Sequence, residues 1–198
     1  SLVLCLLSFS TIPSLAHTEE PIDVLEKTVS LGIAILKDPQ YLMASKKVEQ
    51  QELLCDTASQ VFDFKEFSRR VLAFTWQRLT REEREEFVEV FSEFLCKYYI
   101  PRVQERYKDE KVIYVSQRFV GKRMASVKVN VIWKGKAVPV EVRMLKRKST
   151  WKVYDIIILG VSGVMNYRAQ FQALFRNDTP SQVIARIRDR IKEEERRG

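Results

Sequence analysis

The chain has 198 residues, the length of one domain and enough to bury a sizeable hydrophobic core. With 45% hydrophobic and 30% charged residues, its composition is that of a globular protein and argues against disorder. The formal net charge of +8 favours anionic partners, either nucleic acid or an anionic membrane surface.

Residues 1–16 are typical of the apolar core and cleavage site of a secretory signal peptide. They carry no charge and end in the small-residue pattern Ser14-Leu15-Ala16. The apolar run is too short, and too interrupted by Pro13, to span a bilayer. We therefore predict export with cleavage near Ala16, which leaves residues 17–198 as a single domain.

Two helices are predicted next. Pro21 suits the first position of a helix over residues 21–37. The apolar side of this helix consists of five residues at helical spacing: Ile22, Leu25, Val29, Gly32 and Leu36. Asp38-Pro39 ends the first helix, and a second is predicted from about Tyr41 to Leu54.

The third and fourth helices are predicted to begin at capping boxes. Asp63-Phe64-Lys65-Glu66 resembles such a box, and Thr80-Arg81-Glu82-Glu83 is a better match that opens a helix running to Pro101. The apolar side of the fourth helix is unusually aromatic, with Phe87, Phe91, Phe94 and Tyr98. A closed core suffices to explain this stripe, and direct contact with a ligand is the alternative.

Export would leave two cysteines, Cys55 and Cys96. In an oxidising compartment they could pair, but two well-separated cysteines do not form a disulfide framework. We expect them to be buried apolar side chains. The lone histidine, His17, adjoins the predicted cleavage site, so no histidine is a candidate catalytic base.

Residues 111–119 predict a strand, and residues 124–145 predict a β-hairpin with a two-residue turn at Lys134-Gly135. This turn creates an apolar face that pairs Val131 with Val138, Val129 with Val140 and Val127 with Val142. The other face pairs Lys128 with Glu141 and Ser126 with Arg143, which supports the register. Pro139 cannot donate a ladder hydrogen bond, so we expect the ladder to be interrupted or staggered there.

Residues 151–175 predict a strand that turns sharply into an amphipathic helix. The strand is apolar on both faces, which predicts a place in the middle of the sheet. Gly160 marks the turn, and Ser162 is the candidate N-cap of the helix. Asp155 is alone among apolar residues, so we expect it to be structural, either paired with Arg168 or capping the turn.

The order of helices, strands and helices predicts an α+β fold. We expect a curved antiparallel sheet of about four strands packed against several helices, an NTF2-like or cystatin-like cone with an apolar cavity. A final helix begins at the capping box Thr179-Pro180-Ser181-Gln182. The sequence has no phosphate loop and no metal-binding or nucleophile motif, so we expect no catalytic residue, metal or cofactor.

Two blocks of sequence resemble the MlaC-like family, also called the toluene-tolerance or ABC-transporter auxiliary family. One block, residues 151–171, contains W-K-V-Y-D-I-I-I-L-G-V-S and then Y-R-A-Q-F. The other, residues 62–98, begins F-D-F and contains S-R-R-V-L. The resemblance covers most of the chain after residue 20. Family members usually carry Glu before G-V-S, where this chain has Leu159, so any role of that Glu is not carried over.

The resemblance implies a periplasmic phospholipid carrier that is not an enzyme. Such a carrier shuttles lipid between an inner-membrane ABC transporter and an outer-membrane lipoprotein complex, and we expect a monomer that binds no nucleic acid. The candidate residues of its apolar cavity are Phe91, Tyr98, Val127, Val129, Val131, Val140, Val142, Val161, Val164 and Phe171. The candidate headgroup contacts at the mouth are Arg143, Lys146 and Arg168, and structural roles are expected for Asp155, Gly160 and Ser162.

Three alternatives stay open. The cargo could be a hopanoid or another polycyclic hydrocarbon. The chain could be an isomerase or dehydratase of the NTF2-like class, which needs a buried acid and base close together and for which Asp155 is the one candidate. A nucleic-acid binder would expose aromatic side chains between lysines and arginines. The apolar candidates could also form a closed core, and an interior without a cavity would overturn the carrier hypothesis.

Overall fold

The computed structural model describes residues 19–196. The helices within this range are α1 (Pro21–Lys37), α2 (Lys47–Val61), α3 (Phe64–Leu72), α4 (Thr75–Arg78), α5 (Arg81–Arg106), α6 (Gly163–Leu174) and α7 (Pro180–Glu195). The strands are β1 (Lys111–Val120), β2 (Met124–Trp133), β3 (Lys136–Arg147), β4 (Thr150–Ile158) and β5 (Val161–Ser162). They form one antiparallel sheet in chain order, so the predicted α+β class is confirmed, with a short fifth strand added. The predicted signal peptide lies outside the described residues.

Side-chain caps begin the helices at the predicted positions. The Thr80 hydroxyl accepts from the Glu83 backbone N–H at 3.1 Å, and the Glu83 carboxylate accepts from the Thr80 N–H at 2.8 Å. Thr179 and Gln182 form the same reciprocal box before α7. Asp63 caps α3 in only one direction, because its own N–H donates to the Val153 carbonyl instead of to Glu66. The Glu66 carboxylate is therefore available to nearby arginines.

Two helix boundaries differ from the prediction. Two 3₁₀ turns, Pro39–Tyr41 and Ala44–Lys46, occupy the expected start of the second helix, and α2 begins only at Lys47. The Asp38 carboxylate accepts from the Gln40 N–H at 3.0 Å, which stabilises the first of these turns. The fourth predicted helix continues through Pro101 to Arg106. There Arg102 donates to the Tyr98 carbonyl and pairs with Glu194 of α7, so tertiary contacts hold the helix across the proline.

The predicted hairpin and its register are confirmed. All three valine pairs and both polar pairs occur between β2 and β3. The expected interruption at Pro139 is wrong for this ladder, which runs through the Asn130–Pro139 pair without a shift. The Pro139 carbonyl accepts from the Leu159 N–H, and the N and carbonyl of a strand residue point the same way. The missing N–H therefore faces the side where β4 ends, and no ladder bond is lost.

The expectation that the strand at residues 151–158 lies in the middle of the sheet is wrong. This strand, β4, pairs fully with β3 on one side and only with the two-residue β5 on the other. Its outer side is protected by tertiary contacts: Phe62 forms a parallel bridge with Val153, and Lys152 donates to the Gln60 carbonyl. An apolar pattern on both faces thus reflects helices packed at the sheet edge, and it does not require strands on both sides.

The hydrophobic interior has two parts. A helical core lies among α3, α5, α6 and α7 and includes the aromatic residues Phe67, Phe87, Phe91, Tyr167 and Phe171. A sheet core lies between α1 and α2 and the apolar face of the sheet, and includes Val127, Val129, Val142, Met144 and Val153. The long helix α5 connects them, because its first half packs in the helical core and its second half reaches α2.

Candidate functional site

An apolar cavity of about 390 Å³ lies between α1, α2, the end of α5 and the first two strands. Most of its lining is aliphatic or aromatic: Val29, Ile33, Leu36, Leu54, Ala58, Ile100, Val103, Tyr107, Val112, Val131 and Trp133. Thr28, Gly32 and Thr57 complete the wall, and two charged residues, Arg106 and Glu110, also belong to it. Its size and composition are those of a pocket for an apolar ligand.

Gly32 helps to create this space. It lies in the interior of α1, on the apolar side that faces the cavity, and a Cβ added to it would meet no atom within 4 Å. Glycine inside a helix is about 1 kcal/mol less favourable than alanine. At position 32 neither the backbone conformation nor a close neighbour requires glycine. The effect of Gly32 is therefore to leave the cavity wider, because any other residue would place a side chain in it.

Cationic and amphipathic groups lie on the cavity wall near solvent. Arg106 is the last residue of α5 and is exposed, a position that the helix dipole favours for a cation. Within residues 19–196 its guanidinium has no ion-pair partner. Trp133, at the β2–β3 turn, lines the cavity while 46% of its surface is exposed, and Lys134 lies 4.8 Å from its ring centre. This combination suits a ligand with an apolar body and an anionic end.

A larger cleft of about 620 Å³ lies between α6 and α7 but is chemically different. Its wall includes four charged side chains: Arg186, Asp189, Arg190 and Glu193. Arg186 pairs with Asp178, Arg190 with Glu193 and Asp189 with Lys192, so the wall of this cleft is more polar than that of the first cavity. The smaller cavity is therefore the better candidate for an apolar ligand.

The structure separates the predicted cavity residues of the sheet. Val131 lines the cavity. Its neighbours Val127, Val129 and Val142 are buried in the sheet core, and Val140 packs against that core at its edge. The apolar hairpin face is thus one continuous surface that is closed at one end and borders the cavity at the other.

The predicted cavity residues of the helices are distributed differently. Phe91, Val164 and Phe171 belong to the helical core, away from the cavity. Tyr98 is half-buried on α5, with the Arg102 guanidinium 3.7 Å from its ring centre. Val161 is 63% exposed at the β4–β5 turn. Whether any of these five contacts a ligand stays a prediction.

The three basic residues predicted for the mouth do not line the cavity. Arg143 lies on the opposite face of the sheet, 3.4 Å from Glu141 and 3.8 Å from Asp155. The Lys146 ammonium lies 5.7 Å from the Trp151 ring at the other end of the strands. Headgroup contact by these side chains stays a prediction, and Arg106 is the cation that the structure places at the cavity.

Asp155 caps the strand-to-helix turn. One carboxylate oxygen accepts from the Val164 N–H at 3.0 Å and the other from the Ser162 hydroxyl at 2.7 Å. Ser162 in turn accepts from the Met165 N–H, as expected of an N-cap. Gly160 has a positive φ of 83°, which explains a glycine at this turn. Leu159, beside it, also has a positive φ.

The expected ion pair of Asp155 with Arg168 does not form. Arg168 donates two hydrogen bonds to the Arg70 carbonyl, at 3.1 and 2.7 Å, and so ties α6 to the end of α3. Asp155 is 98% buried and both of its oxygens are occupied by the cap. The cap therefore supplies a structural explanation for a buried acid, and the Arg143 guanidinium, 3.8 Å from the same carboxylate, is its ion-pair partner.

The cysteines form a disulfide, so the expectation of two separate apolar side chains is wrong. Cys55 of α2 and Cys96 of α5 are bonded, with their Cα atoms 5.7 Å apart. Both are only half-buried. Leu54 and Ala58, beside Cys55, and Ile100, one turn beyond Cys96, line the cavity. The bond therefore fixes the spacing of two cavity walls.

Most of the cavity lining lies outside the hairpin and the aromatic stripe, the two places where the sequence predicts it. One signal was present. Gly32 falls on the apolar side of α1 beside Val29 and Leu36, where a bulky residue is expected, and all three line the cavity. The contribution of α2 and of the end of α5 had no comparable signal, since it depends on how these helices cross.

Across the described range 19–196, histidine, cysteine, aspartate and glutamate side chains form no group of three that could hold a metal ion. No helix in that range has the length and apolar character needed to cross a bilayer.

Comparison with known proteins identifies the family. The sequence profile described as "MlaC protein" matches residues 26–189. A similar solved structure is that of the phospholipid-binding protein from Ralstonia solanacearum in complex with a phospholipid. The two chains share 20% identity with a TM-score of 0.76, over 87% of this chain and 97% of that one. Among curated proteins, none matches the sequence significantly. Because the profile spans most of the chain, the resemblance inferred from its two sequence blocks is confirmed, and the protein belongs to the MlaC family.

Proposed function

We propose that this protein is a periplasmic phospholipid carrier that encloses acyl chain in the cavity between α1, α2, α5 and the sheet. It would carry lipid between an inner-membrane ABC transporter and an outer-membrane lipoprotein complex. The observation that carries the proposal is the apolar cavity with Gly32 in its wall. Membership of the MlaC family and a structurally similar protein that binds a phospholipid support it.

The energetics of lipid in water explain why such a cavity is useful. Each buried methylene is worth about 0.8 kcal/mol, so an acyl chain of some fifteen methylenes resists transfer into water by about 12 kcal/mol. Spontaneous movement between two membranes is then negligible. An apolar cavity offers the chain an environment close to that of a bilayer, so loading and release need little net free energy.

The headgroup is proposed to stay at the mouth. The Arg106 guanidinium is exposed on the cavity wall and can donate to a phosphate, and Trp133 can cover the glycerol region. We expect Arg106→Gln to reduce affinity for anionic phospholipid without unfolding the protein, because the side chain is exposed.

The decisive experiment fills the cavity from Gly32. Gly32→Phe places a ring in the open space, and Gly32→Ala is the matched control that adds one methyl group to the same backbone. Lipid is extracted from purified protein and quantified by mass spectrometry. Wild type and Gly32→Ala should carry diacyl phospholipid at near-stoichiometric amounts, whereas Gly32→Phe should carry at least about tenfold less.

Stability must be measured alongside. Both variants should unfold at or above the wild-type denaturant midpoint, because each replaces a helical glycine. Lipid retained in full by a folded Gly32→Phe variant would show that this cavity is not the carrier site. If the wild-type extract contains a hopanoid or another polycyclic hydrocarbon instead of phospholipid, that compound is the cargo.

A further inference from the structure

Three connections of the chain meet at one end of the molecule. Leu36 at the end of α1, Tyr107 just after α5 and Trp133 at the β2–β3 turn all line the cavity, so these segments lie together. An ion pair between Lys37 and Asp109 joins the end of α1 to the segment that leads into β1. We call this region, where α1 and α5 end and the β2–β3 hairpin turns, the cavity end of the molecule.

The two 3₁₀ turns between α1 and α2 belong to the same end. They follow α1 directly, and the Gln104 side chain donates to the Lys47 carbonyl, which holds the start of α2 against the end of α5. Tyr41 is buried at 7% exposure, whereas the next two residues, Leu42 and Met43, are 81% and 61% exposed. The segment therefore presents two adjacent large apolar side chains to solvent. We name Leu42 and Met43 the apolar tip.

Fixed contacts on both sides hold the apolar tip outward. Before it, the Asp38 carboxylate caps the first 3₁₀ turn and the Tyr41 side chain is buried. After it, the Lys46 ammonium pairs with Glu49 in the first turn of α2. A single exposed apolar side chain is ordinary on a protein surface. Two neighbours held outward by a capped turn, beside the rim of an apolar cavity, indicate a surface that meets an apolar partner.

Unpaired cations lie around the apolar tip. In the part of the chain that the structure describes, no ion pair is formed by four exposed residues of the cavity end: Lys47, Arg106, Lys108 and Lys136. Each Lys or Arg near an anionic bilayer is attracted to its surface. Trp133, 46% exposed at the same end, is of the residue type that concentrates at the interface between bilayer and water.

Most carboxylates at the cavity end are already engaged. Asp38 and Glu49 hold the 3₁₀ turns, and Asp109 forms the ion pair with α1. Glu110 accepts from the backbone N–H two residues before it, at 2.7 Å. The charge that remains available at this end is therefore mainly positive, and it complements an anionic surface.

We propose that the cavity end docks on an anionic lipid bilayer. The apolar tip enters the interface of the bilayer, Trp133 lies at headgroup level, and the unpaired cations face the lipid phosphates. Binding at an interface combines buried apolar area with attraction to anionic lipid, and both elements are present here. The inference goes beyond the proposed function, because it concerns a membrane surface and holds whether or not the cavity contains lipid.

Co-flotation of the purified protein with lipid vesicles tests the proposal. The vesicles contain phosphatidylcholine alone or phosphatidylcholine with phosphatidylglycerol. We expect wild type to bind the anionic vesicles at least about tenfold more tightly than the neutral ones. The tip variant Leu42→Ser/Met43→Ser should bind the anionic vesicles at least about fivefold more weakly than wild type. Lys47→Gln/Lys108→Gln should weaken this binding by about tenfold or more.

Phe74→Ser is the matched control for the tip variant. Phe74 is 73% exposed, but it lies near the start of α5, where Arg84 donates to the Trp76 and Gln77 carbonyls. The 26 residues of α5 span about 39 Å, so this position is at the far end of that helix from the apolar tip. The control should bind both kinds of vesicle as wild type does. Gly32→Phe should also bind as wild type does, because docking needs no lipid in the cavity.

Several outcomes would overturn the proposal. Wild type could bind neither kind of vesicle, or both equally. The tip variant could bind as tightly as wild type while the lysine variant binds more weakly, which would reduce the contact to charge alone. An equal loss in Phe74→Ser would show that the apolar tip has no special role. Wild type that ignores vesicles but binds soluble polyglutamate would assign the cations to an acidic protein.

Folding is checked by the melting temperature of each variant. The tip variant should melt as wild type does, because both side chains are exposed, and Met43→Ser alone replaces it if it does not. Failure of the proposed function is distinguishable. In that case wild type yields no extractable lipid, or Gly32→Phe retains it in full, whatever the vesicles show.

Discussion

The disulfide between Cys55 and Cys96 allows a quantitative prediction. Replacing both cysteines with serine removes a bond that closes a loop across a sequence separation of 41 residues. In the chain-entropy description, the cross-link removes about 4 kcal/mol of conformational freedom from the unfolded chain. For a domain of this size, that loss of stability lowers the melting temperature by roughly 8 to 16 °C.

The assay is equilibrium unfolding in guanidinium chloride, followed by far-UV circular dichroism. The two single variants should have the same free energy of unfolding as the double variant, since either substitution removes the bond. Reductant should lower the free energy of unfolding of the wild type by the same amount as the double substitution does. This comparison separates the effect of the bond from the effect of serine. A loss below about 1 kcal/mol in all three variants would contradict the reasoning, because the cross-link would then constrain nothing in the unfolded chain.

Three further predictions concern buried polar groups. Glu66 is buried and hydrogen-bonded to Arg69 and Arg70; burial raises the pKa of its carboxyl, but the two arginines outweigh this and lower it below the usual 4.5. The stabilisation that the ionised Glu66 carboxylate contributes is therefore complete above pH 4.5 and is lost as the pH falls through its lowered pKa. Glu66→Gln should reduce the free energy of unfolding by about 2 kcal/mol at pH 7 and by much less at pH 3, measured by urea unfolding. Asp155→Ala should cost about 2 to 3 kcal/mol in thermal unfolding, because it leaves the Val164 N–H without its acceptor, and a loss near zero would contradict the cap. Among residues 19–196 the buried Tyr114 hydroxyl has no hydrogen-bond partner, and burial, with Glu26 nearby, raises its pKa to about 12. Tyr114→Phe should therefore stabilise the fold by up to about 1 kcal/mol, and a clear loss of stability in calorimetry would show that the hydroxyl is satisfied.

Local signals in the sequence were sufficient for much of the fold. The helix starts at Thr80 and Thr179 depend on side chains three residues apart, and the hairpin register follows from one two-residue turn. Such features are decided by contacts within a few residues or by strict alternation, so they can be predicted without knowing the rest of the chain. The family could also be inferred, because two blocks of residues keep their order and spacing.

Features that join distant segments could not be predicted in the same way. Arg168 follows Asp155 by 13 positions, yet it bonds to the Arg70 carbonyl on another helix, 98 positions away. The disulfide depends on the facing sides of α2 and α5, and β4 lies near the sheet edge because Phe62 and α3 pack there. None of these arrangements leaves a periodic pattern in its own segment.

The cavity shows the same division most clearly. The sequence by itself determined which side of α1 and which face of the hairpin are apolar, because apolar residues recur at the period of each element. Whether two apolar surfaces touch or leave a gap depends on the angle and distance at which the elements pack, and periodicity is the same in both cases. Only the tertiary structure decided that α1 and α2 close the sheet core at one end. At Gly32 and Val131 these helices and the end of α5 stand apart from the sheet, and the cavity lies there.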